Sequence, residues 1–196
     1  SLIGVARIGK DFDFGLKAFV SYAYQDVKDQ APATSSTASS NYGNGAFLDA
    51  NGAAYGISND EVRHNIKYNV SFDRAFFGDY KTNITLFGET RIGRPFSYTM
   101  QDQVNSGRSP VFGTNGAAGR YLLYVPTSTT DALVSYDSTA TRDYLENLIN
   151  STNLKKYRGK IAPRNAFNSK WFTRFDLHFG QEIPAFVGNL SLIHIS

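Results

Sequence analysis

Residues of opposite charge recur two apart along this chain, Glu89 with Arg91 and Arg174 with Asp176. In an extended strand, positions i and i+2 share a face. Each pair therefore puts an acid and a base on one side of a strand, where they can neutralise one another or meet a ligand or a neighbouring domain. Arg63 and Lys67 join the set through the same alternation. For any one of the six, ordinary cross-strand charge satisfaction is the stronger reading; together they mark a polar surface. Catalytic chemistry finds little else. No G-x-S-x-G elbow surrounds a serine, and no H-E-x-x-H or other cluster at metal-ligand spacing occurs. GRSPVFG at 107–113 has glycines and an arginine, but lacks the lysine and following helix of a phosphate-binding loop. His178 falls beside Asp176 as a hydrogen-bonding histidine, and His64 falls on an apolar face near a strand end. The chain has no cysteine, which excludes disulfides and thiolate sites. No enzyme activity, metal or cofactor is expected.

The elements that carry these charges alternate with period two, the pattern of a half-buried strand. Val62, His64, Ile66, Tyr68, Val70 and Phe72 make one face of the cleanest run. Arg63, Asn65, Lys67, Asn69, Ser71 and Asp73 make the other, which is wholly polar. A second run sets Tyr80, Thr82, Ile84, Leu86 and Ile92 against Lys81, Asn83, Thr85, Glu89 and Arg91. A third sets Trp171, Thr173, Phe175, Leu177 and Phe179 against Arg174, Asp176 and His178. In a fourth, Phe14, Leu16, Ala18, Val20, Tyr22 and Tyr24 share a face, while Phe19 and Ala23 dilute the polar side of Lys17, Ser21 and Gln25. A shorter strand covers Leu2–Ile8. Strands of soluble domains run to about 5–6 residues. These alternations persist for about ten, near the 9–11 residues that cross a bilayer as a tilted strand.

The connections are of two kinds. Gly9–Phe14, Ala75–Tyr80 and Pro184–Gly188 read as short turns. The stretches 29–60 and 100–167 are long, and short turns alternating with long loops is the pattern of outer-membrane barrels, with turns periplasmic and loops extracellular. The first long loop is of low complexity over Ala31–Tyr42. The second has structure of its own: YLLYV at Tyr121–Val125 reads as a short strand stopped by Pro126. Arg142–Asn150 reads as a short helix entered from Ser138, Thr139 and Thr141, with Asp143 and Glu146 suiting its N-terminal turn. Tyr144, Leu145, Leu148 and Ile149 form its apolar stripe.

Composition agrees with a wall that is apolar outside and wet inside. There are 12 Tyr and 15 Phe but one Trp, while mean hydropathy is −0.32; barrels combine aromatic girdles with polar interiors in this way. The net charge of +3 and the lack of a basic stripe give no case for nucleic acid. No apolar run approaches the ~20 residues of a membrane helix. The chain opens Ser-Leu-Ile-Gly without a signal peptide, which is read as truncation. LSLIHIS at 190–196 is read as a translated sequencing adapter, with a short apolar strand as the alternative. The domain is accordingly taken as 1–189, and His194 is set aside.

GRSPVFG at Gly107, YLLYVP at Tyr121 and YRGKIAPRN at Tyr157, in that order, resemble the barrel of Oar-like TonB-dependent transporters. NSKWFTRFDLHFGQEIP from Asn168 resembles the strand and periplasmic turn that follow in that family. SYAYQDVKD at Ser21, SSTASSNY at Ser35 and RIGRPFSYT at Arg91 fit it as well, so the resemblance covers nearly all of 1–189. It implies an all-β fold: part of an antiparallel transmembrane barrel, about five or six strands of about 22, with a short helix in a long extracellular loop. It further implies the outer membrane of a Gram-negative bacterium, with outer-membrane lipid around the wall. The other expected partners are a plug domain of the same parent chain, the TonB complex and an extracellular ligand. Arg63, Lys67, Glu89, Arg91, Arg174 and Asp176 would face the lumen. Import or export of a bulky ligand is the expected activity of the parent, since plug and TonB box are not seen here. A surface-binding or adhesion barrel without active transport is the alternative, and a soluble β-sandwich the structural one.

Overall fold

A computed structural model of the chain describes residues 1–30, 36–37, 46, 55–100, 108–109, 113–114, 121–183 and 191–195. The chain divides into two compact units. The first (Ser1–Asp26, Val62–Gly93 and Ser169–Ser196) is a single antiparallel sheet. Its strands are β1 (Leu2–Asp11), β2 (Leu16–Asp26), β3 (His64–Phe77), β4 (Tyr80–Arg91), β5 (Phe172–Ile183) and β6 (Ser191–Ile195). They pair in the order of the chain, with β1 and β6 at the two ends. No pairing among the described residues closes the sheet on itself.

Two hairpins join strands at one end of the sheet. Between β1 and β2 the chain turns at Gly15, whose φ of 96° is open to glycine at little cost. Between β3 and β4 the turn is only Gly78–Asp79, with Gly78 at φ 63°. The turn expected at Ala75–Tyr80 is thus shorter than read, because β3 continues through a bulge between Ala75 and Phe77. A bulge adds an unpaired residue and breaks strict alternation, which hides the strand's end from a period-two pattern. β1 likewise runs three residues past Ile8, and β5 four past Phe179. At the opposite end, the chain leaves after β2 and returns to β3, then leaves after β4 and returns to β5. Both long stretches depart from this end. The turn expected at Pro184–Gly188 and most of Ala31–Tyr42 lie outside the described residues. LSLIHIS supplies β6, the backbone of Ser191–Ile195 pairing with Phe179–Ile183.

The second unit (Val27–Glu61 and Arg94–Asn168) gathers both long stretches into one body with its own core. Val125, Ile149, Leu154, Ala162 and Phe167 are buried at its centre. The Phe167 ring meets Tyr98 edge-on at 4.8 Å and Tyr157 at 5.8 Å. Tyr121–Val125 is not one strand but two short ones divided at Leu123: Tyr121–Leu122 pairs with Thr99–Met100, and Tyr124–Val125 with Lys160–Ile161. The helix α1 covers Thr139–Ser151 and is longer than its apolar pattern, because Ser138 caps it by accepting from the Thr141 amide at 3.1 Å. Asp143 and Glu146 consequently fall beyond the first turn. Asp143 pairs with Arg142 at 2.8 Å, and Glu146 serves the core-side network described below. Ile149 is fully buried with Leu145 and Leu148 against the core, whereas Tyr144 is exposed and leaves the expected stripe. Of the 107–113 segment, Arg108–Ser109 pairs with Gly113–Thr114 and the remainder lies outside the described residues.

Candidate functional surface

The strand register turns the alternation of each strand into two contrasting sheet faces. On one face the cross-strand rows are Tyr24–His64, Tyr22–Ile66–Thr90–Thr173, Val20–Tyr68–Gly88–Phe175, Ala18–Val70–Leu86–Leu177 and Leu16–Phe72–Ile84–Phe179. Nearly every member is apolar or aromatic. On the other face, Ser21 stands opposite Lys67, Lys67 opposite Glu89, and Glu89 opposite Arg174; Asn65 stands opposite Arg91. β1 is the exception to this sorting. Its Ile3 and Val5 share the polar side, and both are largely exposed.

Nothing among the described residues covers the apolar face. Among the described residues, every buried hydrophobic side chain belongs to the second unit. In the sheet, Leu177 is 63% exposed, Phe175 60% and Ile8 72%. Fully burying one such side chain is worth about 1.5–3 kcal/mol, so a face of this breadth left in water is a large unrealised gain. Monomeric soluble proteins rarely leave contiguous apolar surface of that kind bare.

Residue types are also graded along the strands. Toward the end from which the long stretches depart, His64 stacks with Tyr22 and Trp171, ring centroids 6.1 Å apart in each case, and meets Tyr24 at a tilt at 5.6 Å. Tyr22 Oη and His64 Nδ1 share a hydrogen bond of 2.7 Å. Toward the hairpin end, Phe12 meets Phe14 at 5.5 Å and Phe72 meets Phe76 at 6.0 Å. Between these clusters lie the row of Tyr68 and Phe175 and the aliphatic row of Ala18, Val70, Leu86 and Leu177. The sequence shows the aromatics but not their clustering, which appears only when register brings the ends of four strands together. One contact fixes that register. The Tyr68 ring lies over Gly88 and occupies the space of a Cβ there, while the ring meets Phe175 at 5.7 Å.

The six charged residues read from the sequence occupy the polar side, but only one of the two pairs that spacing implied is formed. Arg174 and Asp176 do pair, at 3.3 Å, both about half exposed. Glu89 instead accepts from the Asn65 amide across the strands at 3.0 Å. Arg91 lies over the Phe172 ring at 5.7 Å rather than on Glu89. Lys67 is exposed and forms no ion pair among the described residues. Arg63 continues the same side beyond β3, its carbonyl accepting from the Gln25 amide. His178 stands opposite Thr85 on this face.

The second unit is tied together by polar residues that the pattern of hydrophobics does not reveal. Arg164, 5% exposed, donates to Asp29 Oδ1 at 2.7 Å. Its neighbour Asn165 adopts φ 54° and donates to Ile57 O at 2.8 Å, to Asn59 Oδ1 at 2.6 Å, and accepts from Ser97 Oγ at 3.0 Å. These bonds link the two long stretches to each other. Arg158 binds Glu146 through two nitrogens, Asn150 Oδ1 at 2.9 Å and Pro126 O at 3.1 Å. That guanidinium holds the Glu146 carboxyl below its ordinary range. Asp131 is held at about 2, chiefly by the Thr127 amide at 2.8 Å and the Leu133 amide at 3.0 Å, with the Thr127 and Tyr124 hydroxyls adding to them. No group of three or more potential metal ligands occurs among the described residues. Comparison with protein-family models, with curated proteins and with solved structures finds no match for the chain.

Proposed function

We propose that the sheet is a section of wall from an outer-membrane β-barrel of the TonB-dependent transporter type, in a parent protein that moves a bulky ligand across that membrane. One observation carries the reading: a broad antiparallel sheet leaves an apolar, aromatic-rich face bare, while its other face is polar and charged. Lipid would cover the first face and the aqueous lumen would meet the second. Five of the six strands run 10 to 14 residues, long enough to span the bilayer at the usual tilt. The hairpin end would be periplasmic and the opposite end extracellular, so the second unit would present the surface that meets the ligand. Arg63, Lys67, Glu89, Arg91, Arg174 and Asp176 would then be lumen residues. The family and the transport are supported by the sequence resemblance of the Gly107, Tyr121, Tyr157 and Asn168 motifs.

Fractionation of cells that make the parent protein tests both levels. The reading expects the protein in the outer membrane, with faster gel migration unheated than boiled, and ligand uptake that stops when TonB is deleted. Recovery in the soluble fraction would refute the barrel. Outer-membrane residence with cell-surface binding that is indifferent to TonB would replace transport by adhesion.

A further inference from the structure

Charge is unevenly distributed along the polar face. One register row crosses five strands as Arg7, Ser21, Lys67, Glu89 and Arg174. At a strand spacing of about 4.8 Å it extends ~19 Å and carries three cations against one carboxylate. Arg91 adds a further cation one row nearer the end from which the long stretches depart, and Arg63 lies beyond it. Toward the hairpins the balance reverses, Asp11, Asp73, Asp176 and Glu182 standing against Lys17 and Lys81.

Two of the three cations of the row, Arg7 and Lys67, form no ion pair among the described residues. Glu89, the acid between Lys67 and Arg174, turns to the Asn65 amide. Lys67 is exposed and without an ion pair among the described residues. Arg7 is exposed, its guanidinium carbon over the Phe19 ring 4.1 Å from the centroid. Among the described residues, the guanidinium of Arg174 pairs with the half-exposed carboxylate of Asp176. We infer that this row is a binding track for a soluble oligoanion, a ligand bearing several phosphate or carboxylate groups along its length. The commitment rests on charge complementarity: cations about 10 Å apart on alternate strands match a chain of anionic groups better than one compact ion. The inference deepens the barrel reading, since it requires the polar face to be wet.

The test uses the parent protein in outer-membrane vesicles, any cysteine outside this cysteine-free segment replaced by serine, with Ser21→Cys placing a single thiol in the row. Its modification is followed with an anionic (sulfonate) and a cationic (trimethylammonium) thiosulfonate, each rate normalised to a free thiol. Both reagents should react, the anionic one relatively faster, and the preference should fade with added salt. Tripolyphosphate should protect the thiol, and longer linear polyphosphate should do so at lower concentration. Arg7→Gln, Lys67→Gln and Arg174→Gln should each weaken protection about two- to fivefold, the range of a solvent-exposed charge contact. Equal normalised rates without protection would overturn the oligoanion while leaving the barrel intact. A thiol that resists both reagents until the plug domain is deleted, and then reacts without protection, would give the row to an acidic segment of the plug and overturn the inference. If Ser21→Cys stays inert while Val70→Cys reacts with both reagents, the faces are reversed and both readings fall.

Discussion

Replacing Leu177 by arginine separates a membrane wall from a water-facing sheet. Leu177 stands near the middle of β5, in the row Ala18–Val70–Leu86–Leu177 between the aromatic clusters, and is 63% exposed. If lipid covers it, an arginine near the bilayer midplane costs about 2–4 kcal/mol. At 1.4 kcal/mol per decade, that is on the order of 30- to 700-fold in the folding equilibrium. If water covers it, the guanidinium is solvated and its aliphatic stem keeps much of the leucine's contact. The cost then stays near the ±0.5 kcal/mol of ordinary surface substitutions. Asp176→Asn, one residue away on the opposite face, is the control. It loses a half-exposed ion pair worth about 0–1 kcal/mol. The assay is urea unfolding of the parent protein in lipid vesicles, comparing midpoints at constant slope. A Leu177→Arg midpoint matching that of Asp176→Asn would refute the assignment of faces.

Gly88→Ala should destabilise the sheet by about 1–3 kcal/mol, the cost of forcing a methyl into packed space, because the Tyr68 ring occupies that position. The double variant Tyr68→Ala, Gly88→Ala should cost less than the sum of the singles, and strict additivity in unfolding midpoints would show the ring is not lodged there. Asp131 should titrate in an NMR pH series with a midpoint of about 2, below its ordinary 3.8. Because its folded pKa is depressed, the turn's stabilisation is complete above about pH 4 and is lost as pH falls through the folded value; a midpoint at or above 3.8 would contradict the amide cage. Arg158→Ala should raise the Glu146 midpoint in the same series and destabilise the second unit by about 1–3 kcal/mol, leaving charged hydrogen bonds unmade. Unchanged protease resistance of the α1 segment would count against that role.

The sheet was largely legible because its strands alternate cleanly. A period of two is a local property, and Val62–Asp73 displays it without interruption. Ends were less legible. The bulge near Ala75 carries β3 to Phe77, and β5 passes through Gly180 and Gln181, which give no apolar signal. The charged faces were readable, yet their pairing was not, since spacing along one strand says nothing of partners across it. Glu89 accordingly meets Asn65 rather than Arg91. The second unit was the least legible. Sequence identified its helix and a short strand, but its joining contacts run from Arg164 to Asp29 and from Asn165 to Ile57. Such long-range polar bonds leave no periodic trace. The oddity that points to them is the APRN run within Tyr157–Asn165, an arginine and an asparagine that fold inward beside a proline.

The measurement closest to the central claim is a cysteine scan along β3, in the parent protein reconstituted with lipids carrying a spin-label quencher in the acyl chain. Single cysteines at Ile66, Lys67, Tyr68, Asn69, Val70 and Ser71 each carry an environment-sensitive fluorophore. The account predicts quenching that alternates with period two, strong at Ile66, Tyr68 and Val70 and weak at Lys67, Asn69 and Ser71. Uniform quenching, or its absence at all six positions, would contradict a wall with one face in lipid and the other in water.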